Sequence, residues 1–261
     1  MILAAIIGVA VGVVVGVLGA GGGILSVPIL VYVLGQQPHE AAAASLVIVV
    51  LTASVSIIPH ARAGRVQWRD GLVFATLSAL GSFVGARLSV SVDPGALMIA
   101  FGVLLAGVSV AMLRKAWRTR HEQRVAGHIR TDAVQPTKPL ALLAAATATG
   151  LLTGFFGVGG GFAVVPMLVL VLHFSPKTAT GTSSLIMIIA SAVGLVARIG
   201  TGVELNWDIA LAFAAASMAG GAVGAKLTTR ANDAVLTLAF GILLAGVAAG
   251  TLIEATLGAA G

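Results

Sequence analysis

The sequence predicts an all-α polytopic membrane protein built from two homologous repeats, and three observations carry that expectation. The 261 residues are 58% hydrophobic and 9% charged, with a mean hydropathy of +1.08, whereas a soluble domain carries about a quarter charged residues. Six apolar runs reach the roughly 20 residues that a bilayer-spanning helix needs. The second half of the chain also repeats the first at an offset of 138 to 139 residues. The same composition excludes an ordinary soluble enzyme, a disordered chain and a nucleic-acid-binding domain. The 34 glycines follow no three-residue period, which excludes collagen, and there is no cysteine for a disulfide, a thiolate metal site or a nucleophile.

The chain opens with an apolar stretch, residues 2–34, that is too long for one crossing and is interrupted by Gly19-Ala20-Gly21-Gly22-Gly23. It has no basic flank and its pattern returns later, so it is expected to be structure rather than a cleaved signal peptide. Clean spans follow at about 41–59, 71–91 and 95–113. Seven of the fifteen Lys and Arg residues then fall between Arg114 and Lys138. The second half opens with another overlong stretch, 140–172, broken by Gly157-Val158-Gly159-Gly160-Gly161, and continues with spans at about 178–197, 208–227 and 234–253. Residues 1–113 are therefore expected to form the first transmembrane repeat, 114–138 a basic cytoplasmic linker and 139–261 the second repeat. The linker reads either as an amphipathic helix on anionic lipid or as a solvated connector.

Alignment of the halves supports the duplication. Residues 16–38 match 154–176 at 12 of 23 positions, and 68–107 match 207–246 at 18 of 40, with Pro28 on Pro166 and Trp68 on Trp207. Apolar composition alone does not align Trp, Pro and Gly together. If each glycine-broken stretch is a hairpin, the second half is inverted, and thirteen basic residues lie inside against two outside, Arg87 and Arg198. If each crosses once, the halves are parallel and the count is eleven against four. The positive-inside rule thus favours inversion, with both termini outside and the linker in the cytoplasm of a bacterial-type inner membrane.

Polypeptide broken by glycines at membrane depth survives only when buried in protein or lining a cavity. A half-helix starting at such a break aims N–H groups and the positive end of its dipole inward, which suits an anion. Gly19, Gly21, Gly22, Gly23, Gly157, Gly159, Gly160 and Gly161 are therefore candidate substrate-binding positions, although tight packing alone also accounts for them. No lysine follows either cluster, so neither is a phosphate-binding P-loop. Hydroxyls bind oxyanions without the cost of a buried charge. This makes Thr182, Ser183 and Ser184 candidates, with Ser45 their thinner counterpart in Ala43-Ala44-Ser45; helix capping and bonds to their own helix are the alternatives. Arg87 and Lys226 align and are candidates for attracting an anion, with snorkelling to the interface the competing reading, a doubt Arg198 shares. His60 and His173 stand at run boundaries, where solvation is the usual fate. The carboxylates all fall at run ends or in the linker, leaving no mid-span acid to carry a proton or sodium ion. No metal or catalytic site is expected.

The paired Gly-x-Gly-Gly-Gly-(x)4-Pro-x-Leu elements, Gly19 to Leu30 and Gly157 to Leu168, together with Gly181-Thr182-Ser183-Ser184-Leu185, resemble the TauE/SafE sulfite exporter family. The resemblance runs through both halves, and the first half departs from it where Ala43-Ala44-Ser45 replaces Gly-Thr-Ser. It implies a secondary transporter with duplicated halves that exports a small sulfur-containing anion such as sulfite, a sulfonate or sulfoacetate, without enzymatic activity or a cofactor. The expected partners are that anion and the lipid bilayer, with no nucleic acid and a homo-oligomer allowed by the small-residue faces. An anion channel with a static pore and a membrane scaffold using the basic linker are the competing classes.

Overall fold

A computed structural model describes residues 2–18, 23–126, 139–228 and 233–260. Every regular element among them is helical: α1 (Ile2–Leu18), α2 (Gly23–Pro28, running into a π-helical turn Ile29–Val33), α3 (Pro38–Arg62), α4 (Trp68–Ser89), α5 (Pro94–Ala126), α6 (Pro139–Phe156), α7 (Gly161–Leu170), α8 (Pro176–Ala197), α9 (Trp207–Thr228) and α10 (Asp233–Ala260). Six of them (α3, α4, α5, α8, α9 and α10) are long and apolar enough to cross a membrane, and they coincide with the six runs read from the sequence. α5 continues past its apolar part to Ala126, because residues 114–126 hold strong helix formers and neither Gly nor Pro interrupts them before Gly127.

Proline and short polar side chains start these helices. Pro38 and Pro176 occupy the first turns of α3 and α8, where a missing N–H costs nothing. Ser175 Oγ accepts from Thr178 N–H at 3.3 Å, Asp93 Oδ1 from Ala96 N–H at 2.9 Å and Asn206 Oδ1 from Ile209 N–H at 3.2 Å, each satisfying a donor the helix itself leaves open. α7 has 10 residues, about 15 Å at the helical rise and roughly half a hydrocarbon core. The exits of the two broken stretches share their backbone pattern. Leu34 N–H donates to Ile29 O (3.0 Å) and Gln36 N–H to Leu30 O (2.9 Å). At the aligned positions Leu172 donates to Met167 O (3.2 Å) and Phe174 to Leu168 O (3.0 Å). Gly35 has φ 67° there, and the aligned residue is His173 at φ 57°.

Small residues bring the helices close. α1 lies parallel to α9: Ser217 Oγ donates to Gly8 O at 3.0 Å, and further along both helices a Cβ on Gly224 would overlap the Val13 carbonyl. α4 lies parallel to α6 in the same way, with Ser78 Oγ donating to Ala146 O at 2.9 Å and Gly85 against the Leu151 carbonyl. α4 is also parallel to α8, Gly71 facing Thr182 and Leu185 while Ser82 Oγ donates to Ala190 O at 2.8 Å. Since α6 and α8 thus point the same way, α7 carries the chain back between them. α5 and α10 run antiparallel, Gly102 facing Leu252 while Ser109 Oγ donates to Gly241 O at 2.8 Å. α3 and α8 also run antiparallel, with Leu46 beside Gly194 and His60 beside Gly181. These two helices form the centre: Ala41–Val49 and Ala179–Met187 are buried without interruption. The bundle's exterior is apolar, with Leu80, Trp117 and Ile199 among its exposed side chains, as a lipid-facing surface requires.

Candidate functional site

The second glycine break is well defined. Gly157, Gly159 and Gly160 have φ of 66°, 65° and 73°, the left-handed region that side chains disfavour. Gly157 abuts the Ala42 carbonyl, Gly159 the Val49 side chain and Gly160 the Thr153 hydroxyl, each closer than a Cβ would allow. The Gly160 carbonyl accepts from Ala163 N–H at 2.8 Å and Val164 N–H at 2.6 Å, so α7 starts from this turn, with Gly161 as its first residue. Phe156 and Phe162 flank the break and pack on Phe101 of α5, at centroid distances of 5.5 and 5.8 Å. Of the first cluster, Gly23 opens α2 and lies on the Val158 carbonyl, so the two broken stretches meet inside the bundle. Gly19, Gly21 and Gly22 lie outside the described residues.

The start of α8 carries the hydroxyls of Thr180, Thr182, Ser183 and Ser184, at the end of that helix that packs beside His60. Thr180 Oγ1 donates to Pro176 O at 2.9 Å and approaches Leu18 O, at the end of α1, at 3.4 Å. Thr182 Oγ1 accepts from Gln67 N–H at 3.0 Å, which ties α8 to the start of α4. Ser183 Oγ and Ser184 Oγ donate to Thr180 O at 2.8 and 3.3 Å. Ser45 Oγ is fully buried with no hydrogen-bond partner. A small cavity of about 10 Å³, space for about one water, opens where α1, α3, α8 and α9 meet, lined by Thr52, Ser56, Ser184, Ser217, Gly12 and Gly16.

Thr52, Ser56 and Ser217 escaped the reading by motif, because one hydroxyl in an apolar run has no signature. The repeat alignment holds the missing signal. At an offset of 139, Ser45 pairs with Ser184, Thr52 with Ser191 and Ser78 with Ser217, hydroxyl on hydroxyl. All six are buried, and Ser191 Oγ, like Ser45 Oγ, has no partner.

The cations fall differently from their sequence positions. Arg87 is exposed on α4, its guanidinium 5.8 Å from the centre of the Phe83 ring, away from the hydroxyls. Lys226 falls on α9, and its side chain lies outside what the structure describes. Arg198, at the end of α8, is 4% exposed. Its Nη2 donates to Ser89 Oγ at 3.1 Å and Gly154 O at 3.0 Å, while Nε and Nη1 have no partner. Burial pulls its pKa down to about 10, which still leaves a cation at neutral pH. At the far end of α3, His60 is 1% exposed with both ring nitrogens unpartnered, near Arg65, whose Nη1 is buried and unpartnered too.

Comparison with known proteins places this architecture. The model of the family described as sulfite exporter TauE/SafE matches residues 4–251. A "probable membrane transporter protein" of Xylella fastidiosa (strain Temecula1) is 35% identical over 246 residues, 91% of this chain and 89% of that one. The "probable membrane transporter protein YunE" of Bacillus subtilis is 30% identical over 257 residues, 93% of this chain and 94% of its own. A more distant likeness, 26% over 205 residues, is to a "probable membrane transporter protein" of Methanocaldococcus jannaschii. No solved structure matches at a significant level.

Proposed function

The chain belongs to the TauE/SafE sulfite exporter family of membrane transporters, and on that premise we propose that it is a secondary carrier exporting a small sulfur-containing anion such as sulfite, a sulfonate or sulfoacetate. The observation that carries this reading is the meeting of the two broken stretches inside the bundle, where Gly23 touches Val158; a hydroxyl-lined cavity among α1, α3, α8 and α9 supports it. The anion binds between the breaks, held by N–H groups at the start of α7 and of its counterpart and by Ser45, Thr182, Ser183 and Ser184. A cavity of about 10 Å³ is smaller than any such anion, so binding and release require the surrounding helices to separate, as in alternating access. The test is flux in proteoliposomes with sulfite, methanesulfonate, sulfoacetate and chloride. Saturable movement of the sulfur anions supports a carrier. Failure to move any small anion removes the proposal, and a large single-channel conductance replaces it with a pore.

The halves are proposed to be inverted, with residues 114–138 in the cytoplasm and both termini outside. Support comes from the opposed directions of the repeat-related pairs α3/α8 and α5/α10. A rotation about the membrane normal would leave such pairs parallel. Dual reporters fused after residues 125 and 261 are expected to report opposite sides; matching sides would end the inverted reading.

A further inference from the structure

Buried hydroxyls can bond to their own helix, but a buried guanidinium with idle donors has no such outlet and is costly without an anion. Arg198 is such a place, and a second group with idle donors, buried His60 with the buried Nη1 of half-buried Arg65, stands at the opposite end of the same feature. α3 carries Ser45, Thr52, Ser56 and His60 at spacings of seven, four and four, and α8 carries Thr180, Ser184, Ser191 and Arg198 at four, seven and seven. Each set lies along one helix face, and all eight residues are buried. The two helices run antiparallel, and Thr52, Ser56 and Ser184 share the wall of the cavity that α1 and α9 complete. His60 packs beside Gly181, near the start of α8, and Arg198 ends that helix. Seventeen residues separate Gly181 from Arg198, about 26 Å of helix, close to the roughly 30 Å thickness of a hydrocarbon core.

We propose that the α3–α8 seam is the path of the anion, and that Arg198 receives it at one mouth while His60 with Arg65 receives it at the other. This rests on the carrier reading above and adds to it the route and the two receiving groups. Arg198 suits an oxyanion because its Nε and Nη1 are unspent charged donors on a rigid planar group, while Nη2 is held by Ser89 and Gly154. His60 offers a ring N–H and Arg65 a buried Nη1 at the opposite end. The contacts of Arg198 with Ser89 and Gly154 link this mouth to the ends of α4 and α6, so a bound anion would also be felt just before the second glycine break.

Membrane vesicles of opposite orientation separate the two mouths. With sulfite as the probe, Arg198→Gln is expected to raise KM about tenfold or more from one side and to leave the other within about twofold, the loss expected for a hydrogen bond to a charged group. His60→Gln and Arg65→Gln are expected to do the same from the other side, and Arg198→Lys to recover part of the Arg198→Gln loss. If Arg198 is only a clamp on α4 and α6, Arg198→Gln lowers Tm and Vmax from both sides with KM unchanged, which overturns the inference. Stabilisation of the purified protein by sulfite alone gives a second readout that needs no flux. The wild type should gain Tm with sulfite and Arg198→Gln should not; an unchanged gain also overturns it. A wild type that transports nothing yet loses its sulfite gain on Arg198→Gln keeps the site and discards the carrier. Absence of both flux and gain in the wild type discards both.

Discussion

Gly160→Leu is expected to leave the protein in the membrane but reduce anion flux below detection. Gly160 holds φ 73°, and a leucine forced there costs about 1–2 kcal/mol of backbone strain. Its Cβ would also fall on Thr153 Oγ1, the hydroxyl that donates to Thr149 O at 2.7 Å, and overpacking of this kind costs about 1–3 kcal/mol. The two together fall short of the 5–15 kcal/mol that holds a typical domain folded, so the bundle should survive. The break cannot survive unchanged, because the Gly160 carbonyl anchors both Ala163 N–H and Val164 N–H at the start of α7. Gly200→Leu is the control for strain alone: φ is 78° and no atom lies within 4 Å of a Cβ there. It should transport normally. Gly160→Ala should lose most activity, and adding Thr153→Ala should restore part of it by removing the overlapped hydroxyl. Flux and elution profile in detergent are measured together, and full activity in Gly160→Leu would show the break to be packing only.

How much of this was legible depends on the length scale of the physical signal. The six spans and the second helix break were readable because they rest on runs of about 20 residues and on a cluster of glycines, signals that neighbouring structure does not override. Sidedness within a helix is a finer matter. Arg87 and Arg198 each stand near the end of an apolar run and looked alike, yet Arg87 is exposed over Phe83 while Arg198 is buried against Ser89 and Gly154. The difference is set by which helices pack on each face, and no local pattern encodes that. His60 looked solvated for the same reason, since the loop after α3 folds back over it: Arg65 N–H donates to His60 O at 3.0 Å and the Arg65 carbonyl covers Gly181. The hydroxyls are an intermediate case. Thr52 or Ser217 alone carries no message, but the duplication supplies an internal comparison, and the 139-residue pairing would have found Ser191 and Ser78 as well. Along the basic stretch, residues 114–126 continue α5 as helix, one of the two forms their sequence allows.

Ser184→Leu is expected to abolish flux, and Ser184→Ala to raise KM about 10- to 100-fold, the range for a lost hydrogen bond of about 1.5–3 kcal/mol to a charged group. Leucine puts a branched apolar side chain into a cavity of about 10 Å³ and removes the only hydroxyl that α8 gives to its lining. Alanine removes the hydroxyl without the bulk, so the pair separates obstruction from recognition. Ser45→Ala extends the argument to the other half. Ser45 Oγ has no partner where it stands, so its loss should barely change Tm. If the halves exchange roles during transport, the site must meet Ser45 as it meets Ser184, and Ser45→Ala should raise KM by a comparable factor. Ser54→Ala is the comparison on the same helix: its hydroxyl is exposed and donates to Val50 O at 2.6 Å, so KM should stay within about twofold. A KM change confined to Ser184 would mean that only the second half touches the anion, and a carrier that alternates through two equivalent half-sites could not then be maintained.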